Sequence, residues 1–539
     1  MNSMAQDRAS VAGKALTVAE KTSLLVIGAG PAGLAAAIEA ARRGIAVTLV
    51  DENPVPFETM GEEIPLHFGQ RMGGIVRNRT AMTEAVLEQS PDIAAAFEAG
   101  VDVRLGTVAW GLYVPQPTAA WMPGPLCGLA DPERSWLIGF DHCIVAAGRR
   151  DMGLAFPGWE RPGVMGATAA QRLASHGALD ARTAVILGSS AEALLAASAL
   201  LDAGIDVAAI VERAGTMAGP ADLANAMTSA GVPILTGHVV AAADGGLDGV
   251  EAVRIVAVDA EGRHLAGTER TIACDTVVLG IAAIPAIELL EAAGCRVGFD
   301  GDRGGHVPLT GEGYRCSLPV IQAIGDCAGV WPSKSMNPEI ARAEALIAVG
   351  ALAGSTTSEL PSPPAPDAAA TDIAALRCGW VRASVVEAEG EPHVCQCEEV
   401  TAREILEVKP PRYLNWTAPA NRPTDLVALL GEGPPSADQI KRLTRAGMGP
   451  CQGRRCREQV AALLALGSGV PLETMPLATF RAPVRPLPLS LLAESAEDPE
   501  ITAHWDSWFG MAAQWVPYWR VQSGYTAASR DLHSPVASE

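Results

Sequence analysis

Short apolar runs alternate with alanine-rich stretches of helical periodicity over roughly the first two-thirds of the chain. The runs are rich in Val, Ile and Leu and have the length of buried strands. Strand signals, most of them followed by a turn and a helix, occur in five places, at residues 21–51, 141–148, 183–212, 275–280 and 319–352. This alternation predicts an α/β fold with two nested Rossmann-like, doubly wound units.

The order of these segments indicates that the second unit is inserted into the first. A stretch rich in Pro, Ser, Thr and Ala follows them and has no apolar periodicity, which is typical of a linker. The predicted segments are a flexible arm at 1–20, the first unit at 21–150 and 271–352, the second unit at 151–270, a linker at 354–372, a small, mostly helical, cysteine-bearing module at 391–470 and a tail at 471–539.

The tail is rich in tryptophan. Trp505, Trp508, Trp515 and Trp519 are spaced so that several would share one helical face. Such a face could pack on the core of this chain, or it could anchor a partner protein, since Trp is favoured at interfaces. Both interpretations stay open.

The charge balance excludes some classes of partner. Forty basic and 61 acidic residues give a net charge of −21. A polyanion repels nucleic acid and anionic lipid, so we expect neither as a partner. No apolar run has the length of a membrane span, and the first 20 residues lack the apolar segment of a secretory signal. We therefore expect a cytoplasmic protein.

The first unit contains a dinucleotide-binding pattern. Gly28, Gly30 and Gly33 form GxGxxG after the apolar run that ends at Ile27, and the next strand ends at Asp51. The glycines allow a sharp turn, close approach of a pyrophosphate and close packing of helix on strand, and the acidic residue can bind a ribose. The candidate cofactor-binding residues from this unit are Gly28, Gly30, Pro31, Ala32, Gly33, Asp51 and, as the weaker ribose ligand, Glu52.

The second unit departs from this pattern. It keeps Gly188, but Ser190 and Ala193 stand where the second and third glycines belong, and its next strand ends at Glu212. A Cβ at the second position would crowd a pyrophosphate. We interpret this unit as a structural relic or as a site for another ligand, with NAD(P)H unfavoured.

Two close cysteine pairs lie in the predicted module, at Cys395-x-Cys397 and Cys451-x₄-Cys456. Four thiolates can hold either zinc or a [2Fe–2S] cluster, and the spacing leaves both open. The chain has eleven cysteines but no CxxC, so it lacks the dithiol of a disulfide reductase. We take Cys395, Cys397, Cys451 and Cys456 as the candidate metal ligands.

Two further segments carry a family resemblance. VAAG, ending at Gly148, and AIGD, with Gly325 and Asp326, resemble motifs of the FAD-dependent pyridine nucleotide–disulfide oxidoreductases. The resemblance implies that Gly148, Gly325 and Asp326 bind FAD, with Asp326 on the ribityl chain. Asp326 could also cap a helix.

The cysteine module has a resemblance of its own. VCQCEEVT and LTRAGMGPCQGRRC resemble the [2Fe–2S] domain related to bacterioferritin-associated ferredoxin, the BFD-like domain. This domain is fused to the α subunits of opine, D-hydroxyproline and hydrogen-cyanide-forming glycine dehydrogenases, which the chain resembles over about residues 21–490. The stretch between the two cysteine pairs is longer here, and the loop with Gln70, Gly73 and Gly74 departs from the family's flavin-contacting pattern.

The resemblance implies an electron-transfer subunit of a hetero-oligomeric dehydrogenase. A partner subunit with a D-amino-acid-oxidase-like fold and its own FAD would oxidise an amine, amino acid or opine. It also implies a possible FMN between subunits, a possible further small subunit, and peripheral association with the inner membrane through the complex. Two alternatives stay open: a stand-alone NAD(P)H-dependent flavin or ferredoxin reductase, and a structural subunit that binds an adenine nucleotide and zinc.

Overall fold

The computed structural model describes residues 17–53, 90–117, 122–175, 177, 179–355, 362–367, 371–409, 425–434 and 436–493. The strands, numbered in chain order, are β1 Glu20–Ile27, β2 Val47–Asp51, β3 Asp102–Leu105, β4 Val108–Tyr113, β5 Leu126–Ala130, β6 Ser135–Val145, β7 Arg149–Asp151, β8 Val164–Gly166, β9 Thr183–Leu187, β10 Asp206–Glu212, β11 Ile234–Thr236, β12 His238–Gly246, β13 Gly249–Ala257, β14 Arg270–Ala273, β15 Thr276–Leu279, β16 Ala283–Pro285, β17 Val297–Asp300, β18 Gly305–Pro308, β19 Ile321–Ala323, β20 His393–Cys395 and β21 Val400–Thr401. The α-helices are α1 Pro31–Arg42, α2 Pro91–Glu98, α3 Ala167–Ser175, α4 Ala191–Asp202, α5 Ala221–Ser229, α6 Glu288–Ala293, α7 Pro332–Met336, α8 Pro338–Leu352, α9 Ile373–Val381, α10 Ala402–Leu406, α11 Leu426–Glu432, α12 Ala437–Thr444, α13 Arg457–Ser468 and α14 Leu489–Ala493.

The first unit is built on a sheet with the strand order β3-β2-β1-β6-β5-β4, in which β19 also pairs with β6. Strands β1, β2, β6 and β19 run parallel, so their carboxyl ends meet at one edge. Both faces of β1 are buried. Leu24 and Val26 pack with α1 and α8 on one side, and Leu25 and Ile27 face the opposite core. The turn that follows β1 therefore starts from a rigid strand.

The second unit has a parallel sheet with the order β11-β10-β9-β15-β8 and a separate antiparallel sheet, β12-β13-β14. The predicted α/β architecture with two Rossmann-like units is confirmed. One predicted boundary is wrong: a second unit that ends at residue 270 leaves β15 in the first unit, yet β15 pairs with β9 and β8 in the second. The second unit therefore extends past residue 271. An apolar strand of four residues fits either parallel sheet, so its sequence could not decide between them.

The cysteine module packs directly on both Rossmann-like units. Its buried helix α13 and β20 share a hydrophobic core with the second unit, in which Trp159 and Trp380 are fully buried. The Trp159 indole N–H donates to the His393 carbonyl at 2.8 Å. Gln459 accepts a hydrogen bond from the Ala155 amide at 3.0 Å. These contacts fix the position of the module relative to the two sheets.

A buried ion-pair network joins the same elements. The Arg150 guanidinium bonds the Glu288 carboxylate at 2.7 Å and the Glu458 carboxylate at 2.6 Å. Burial works to raise the pKa of Glu288, but Arg150 and Arg485 outweigh it and hold this pKa at about 2. Arg457 of α13 pairs with Glu291 of α6. The network therefore links α13 to the first unit through buried ion pairs.

Replacement of Arg150 by methionine should lower the free energy of unfolding by about 3–5 kcal/mol, because it leaves two buried carboxylates without their cation. Urea denaturation followed by circular dichroism measures this change. The control is Arg263→Met, which removes a surface ion pair with Asp259 and should leave the unfolding midpoint unchanged. Equal stability of the Arg150→Met variant and the wild type would contradict a structural role for the network.

The compact unit that holds both sheets and the cysteine module runs to residue 486. Phe480 and Val484 are buried in the core of the first unit, and the Val484 amide donates to the Trp110 carbonyl at 2.8 Å. The predicted tail therefore begins later than residue 471. Past residue 486 the described residues contain α14. The four tryptophans of the tail lie outside the described residues, as do Gln70, Gly73 and Gly74.

No α-helix in the described part of the chain combines the length and the apolar character that crossing a membrane requires.

Candidate functional site

A cavity of about 370 Å³ opens at the carboxyl edge of the first sheet and extends to the cysteine module. Its volume is within the range of small-molecule sites. Gly28, Gly30, Asp51, Glu52 and Gly148 line it, as the sequence predicted for a cofactor site. The loop between Cys451 and Cys456 also lines it through Arg454 and Arg455. One cavity thus borders both predicted cofactor sites.

The three motif glycines have different roles. Gly28 has a φ of +111°, and an added Cβ would lie 2.2 Å from the Ala146 carbonyl oxygen. A Cβ on Gly33 would lie 1.8 Å from the Gly28 carbonyl oxygen. Both glycines are therefore required by the packing of the turn on its neighbours. A Cβ on Gly30 would meet nothing within 4 Å, so Gly30 leaves space toward the cavity rather than toward protein.

Helix α1 presents its amino terminus at this turn. Gly30 is the N-cap and Pro31 occupies the first helical turn, followed by Ala32 and Gly33. No side chain of the described residues caps the helix. Free amide donors and the helix dipole at such an end favour an anion. The arrangement suits a phosphate group.

Asp51 and Glu52 reach the cavity but are also held by protein groups. The Asp51 carboxylate accepts the Ala29 amide at 2.5 Å and the Asn53 amide at 2.7 Å. Burial raises the pKa of Asp51 despite these bonds. Glu52 pairs with Arg485 at 2.8 Å. Asp51 therefore stabilises the glycine turn, and it has acceptor capacity left for a ribose hydroxyl.

Gly325 and Asp326 are not among the described residues that line this cavity, but they contact residues next to it. A Cβ on Gly325 would lie 2.9 Å from the Ala32 Cβ, so the two turns are in contact. Asp326 pairs at 3.4 Å with Arg149, which does line the cavity. Asp326 belongs to a short 3₁₀ turn and caps neither α7 nor α8, whose N-caps are Trp331 and Asn337.

A buried ion pair that the sequence did not reveal holds the Gly325 turn. Lys334 and Glu344 are bonded at 2.7 Å, with side chains 0% and 2% exposed. The Lys334 ammonium also donates to the Gly325 carbonyl at 2.8 Å, and Glu344 accepts the Gly325 amide at 2.7 Å. Burial raises the pKa of Glu344 in spite of Lys334. Both residues lie on helices without any motif, so no local signal marked them.

The four predicted metal ligands come together at the start of α13. Cys395, Cys451 and Cys456 are buried, and the Gly447 amide donates to the Cys395 sulfur at 3.3 Å. The sulfurs form two pairs: the Cys397 thiol donates to Cys451 and lowers its pKa well below the usual value, and Cys456 lowers the pKa of Cys395 in the same way. Within the described ranges, no three His, Cys, Asp or Glu side chains form a group that could hold one metal ion.

Asp151 is another carboxylate that lines the cavity, and it predicts how the stability of the chain depends on pH. Burial raises the pKa of Asp151 to about 6, although the Thr168 amide and hydroxyl donate to it. An ordinary aspartate titrates near 3.8, so between these values the folded chain binds the extra proton. The free energy of unfolding should therefore fall as the pH rises from about 4 to 6, by roughly 3 kcal/mol, since one pKa unit is about 1.4 kcal/mol.

The Asp151→Asn side chain keeps an amide oxygen that can accept hydrogen bonds from Thr168, but it does not titrate. The decrease in the free energy of unfolding between about pH 4 and pH 6 should therefore disappear in this variant. The variant is expected to be more stable than the wild type above pH 6, as measured by urea unfolding at a series of pH values. The exposed Asp206→Asn is the control and should follow the wild type. A stability difference between Asp151→Asn and the wild type that does not change with pH would contradict the raised pKa.

The corresponding edge of the second unit borders a cavity of about 530 Å³, lined by Ser190, Ala191 and Glu192, but its motif residues also bond to other groups of the chain. Glu212, at the end of β10, is fully buried and accepts the Ser189 hydroxyl at 2.6 Å. Ser190 is the N-cap of α4 and accepts the Ala193 amide at 3.2 Å. Glu192 pairs with Arg149 at 3.3 Å and accepts the Ser335 hydroxyl at 2.6 Å. The groups that would bind a ribose and a pyrophosphate are therefore engaged within the chain.

Comparison with known families and proteins agrees with this architecture. The family model described as pyridine nucleotide-disulphide oxidoreductase matches residues 22–345, and that of the sarcosine oxidase A3 domain matches residues 423–496. An opine oxidase subunit of Agrobacterium tumefaciens (strain Ach5) is 29% identical over 495 residues, which cover 87% of this chain and 91% of that protein. The hydrogen cyanide synthase subunit HcnB of Pseudomonas aeruginosa is 26% identical over 492 residues, covering 86% of this chain and 97% of that protein.

Among solved structures, L-proline dehydrogenase from P. horikoshii matches 89% of this chain and 81% of its own, with a TM-score of 0.58 and 18% sequence identity. At that identity the match supports the fold alone. The names of the sequence relatives confirm the resemblance to the large subunits of opine and hydrogen-cyanide-forming enzymes. The nested Rossmann-like units, the glycine turn and the family match together show that the chain belongs to the pyridine nucleotide-disulphide oxidoreductase family.

Proposed function

We propose that this chain is the electron-transfer subunit of a hetero-oligomeric dehydrogenase, with FAD in the cavity of the first unit and a [2Fe–2S] cluster on the four cysteines. One observation carries the proposal: the same cavity is lined by Gly28 and Gly30 of the glycine turn and by Arg454 and Arg455 of the loop between Cys451 and Cys456. When bound, FAD would exchange two electrons and the cluster one at a time.

The residues of the cavity fit the nucleotide half of FAD. Gly30 leaves room for a pyrophosphate, and the uncapped amino terminus of α1 supplies donors and positive potential. Asp51 is in place for the ribose. Residues 54–89, which include the divergent loop with Gln70, Gly73 and Gly74, are outside the described part of the chain. An adenine nucleotide such as ADP would satisfy the same groups, and it remains the alternative ligand.

The cysteine site accommodates a two-metal cluster, which the resemblance to the BFD-like domain favours over zinc. Both kinds of centre accept four thiolates. Cys395 contacts Cys456, Cys397 contacts Cys451, and Cys397 and Cys451 are also close enough to Cys456 to raise its pKa, so the four sulfurs lie close together. Amide donors to sulfur, such as Gly447 to Cys395, stabilise the reduced cluster. The side chains and amides of this chain would hold the cluster in position and adjust its reduction potential.

The partner is proposed from the relatives. The opine oxidase protein and HcnB are both named as subunits, and this chain spans most of each. We therefore propose that a second polypeptide, with a D-amino-acid-oxidase-like fold and its own FAD, oxidises an amine, amino acid or opine. No catalytic side chain is assigned to this chain.

The second unit argues against a stand-alone NAD(P)H-dependent reductase. Glu212 is buried and bonded to Ser189, and Glu192 adds negative charge at the start of α4. A dinucleotide phosphate would meet a carboxylate where it needs a donor.

Anaerobic titration tests the proposal. The chain is purified alone and together with its co-expressed partner, and the flavin and cluster absorbance are followed. We expect NADH and NADPH to leave the isolated chain oxidised, and an amine, amino acid or opine substrate to reduce the complex. Rapid, complete reduction of the isolated chain by NADH or NADPH would show that it is a reductase instead.

A further inference from the structure

Arg454 lies between the two sites described above and has no role in either so far. It is the third residue after Cys451 and the second before Cys456. The loop turns sharply at Gln452 and Gly453, which have φ values of +52° and +76°. Arg454 follows this turn and lines the cavity that also contains Gly28 and Gly30.

Two hydrogen bonds fix Arg454 in this position. Its Nε donates to the Cys451 carbonyl at 3.1 Å, within its own loop. Its own carbonyl accepts a hydrogen bond from Arg150 at 2.7 Å. The backbone and the inner half of the side chain are therefore ordered, and the terminal amino groups are left to interact with whatever fills the cavity.

Those terminal groups lack an acceptor among the residues that the structure describes. The nearby carboxylates are engaged elsewhere: Glu52 bonds Arg485 at 2.8 Å, and Glu288 bonds Arg150 at 2.7 Å. Arg454 is part-buried, and Glu52 and Glu288 are close enough to act on its charge without bonding its terminal amino groups. Paired oxygens of a phosphate match the planar geometry of a guanidinium. An anionic oxygen of a ligand in the cavity would supply what the protein does not.

We propose that Arg454 binds the phosphate groups of the nucleotide held in the cavity and so couples occupancy of that cavity to the cysteine loop. The inference rests on the proposed function, which places a nucleotide there. The same residue then touches both sites: its terminal amino groups contact phosphate, and its Nε holds the carbonyl of a cluster ligand. Because such coupling is reciprocal, the nucleotide stabilises the loop and the assembled cluster tightens nucleotide binding.

The test compares Arg454→Gln and Arg454→Lys with Arg403→Gln. Arg403 lies on α10 of the cysteine module, where it pairs with Glu391 and Glu407, and it is outside the described lining of the cavity. Each protein is purified in full length, diluted and filtered, and the FAD or ADP released over time is measured by chromatography. Iron per chain is measured on the same samples. The cluster's midpoint potential is recorded before and after nucleotide release.

Arg454→Gln should release its nucleotide about tenfold faster than the wild type or faster, because it loses a charge-assisted hydrogen bond to phosphate. Its iron content should be unchanged, and Arg454→Lys should be intermediate. A variant that retains iron but purifies without nucleotide also supports the inference. In the wild type the cluster potential should differ between the loaded and depleted states, and Arg454→Gln should lose this difference. Arg403→Gln should resemble the wild type.

Two results would overturn the role of Arg454: release from Arg454→Gln at the wild-type rate, or a nucleotide-dependent potential that persists in that variant. Failure of the proposed function is recognisable separately. In that case the wild type itself would contain no nucleotide or no iron, whatever the behaviour of the variants.

Discussion

Replacement of Gly30 by valine is expected to weaken nucleotide binding about a hundredfold while the chain still folds. The Gly30 backbone has a φ of −78°, which valine adopts, and a Cβ there would meet no protein atom within 4 Å. The new side chain would instead occupy the space that a pyrophosphate needs. Loss of two hydrogen bonds to phosphate corresponds to about 3 kcal/mol, so the affinity for FAD should fall roughly a hundredfold.

The measurement is the flavin content of the purified protein, with thermal unfolding recorded on the same preparation. Gly215→Val is the matched control, because Gly215 also has open space around it and lies outside the cavity lining. Gly33→Val provides the opposite case, since its Cβ would clash with the Gly28 carbonyl and should prevent folding. A Gly30→Val protein with a full complement of flavin would show that the nucleotide binds elsewhere.

Replacement of Cys456 by serine should remove the cluster and leave the flavin in place. Cys456 is 1% exposed and pairs with Cys395, so its loss leaves one iron without a complete ligand set. The iron content should fall from about two atoms per chain to nearly none, because a [2Fe–2S] cluster requires all four ligands. The flavin contacts of the first unit do not involve this thiol.

Iron, acid-labile sulfide and flavin are counted in the same sample. Cys378→Ser is the control: this cysteine is only half-buried and belongs to α9, outside the two pairs, so its replacement should leave iron unchanged. Loss of iron in both variants would indicate a general effect of thiol removal. Full iron content in Cys456→Ser would exclude this cysteine as a ligand.

The sequence predicted those parts of the site that depend on local chain geometry. The Gly28–Gly33 turn, Asp51 and Gly148 lie where a strand, a tight turn and a helix must place them, and all border one cavity or its helix. Close spacing also marked Cys395 with Cys397 and Cys451 with Cys456 as candidate ligands, although the sulfurs make contact across these pairs. Such features depend on a few consecutive residues, whose conformational requirements are visible in the sequence.

Contacts between distant segments could not be predicted in this way. Arg150 and Glu458 are 308 residues apart, and neither belongs to a motif. Arg454 and Arg485, two of the six arginines that line the cavity within the described residues, come from segments marked only by resemblance. The membership of β15 in the second sheet and the burial of Phe480 and Val484 likewise depend on which surfaces meet in three dimensions. The periodicity of one sequence predicts whether a segment is a helix or a strand, but it does not predict which other element that segment packs against.

The central claim is that one chain carries a flavin and a two-iron cluster side by side. Anaerobic absorbance and electron paramagnetic resonance spectra of the purified chain test it, with flavin, iron and acid-labile sulfide counted on the same sample. The account predicts bound FAD, about two irons and two sulfides per chain, and a paramagnetic signal on reduction by dithionite. A colourless chain that contains zinc and an adenine nucleotide would contradict it and would identify the chain as a structural subunit.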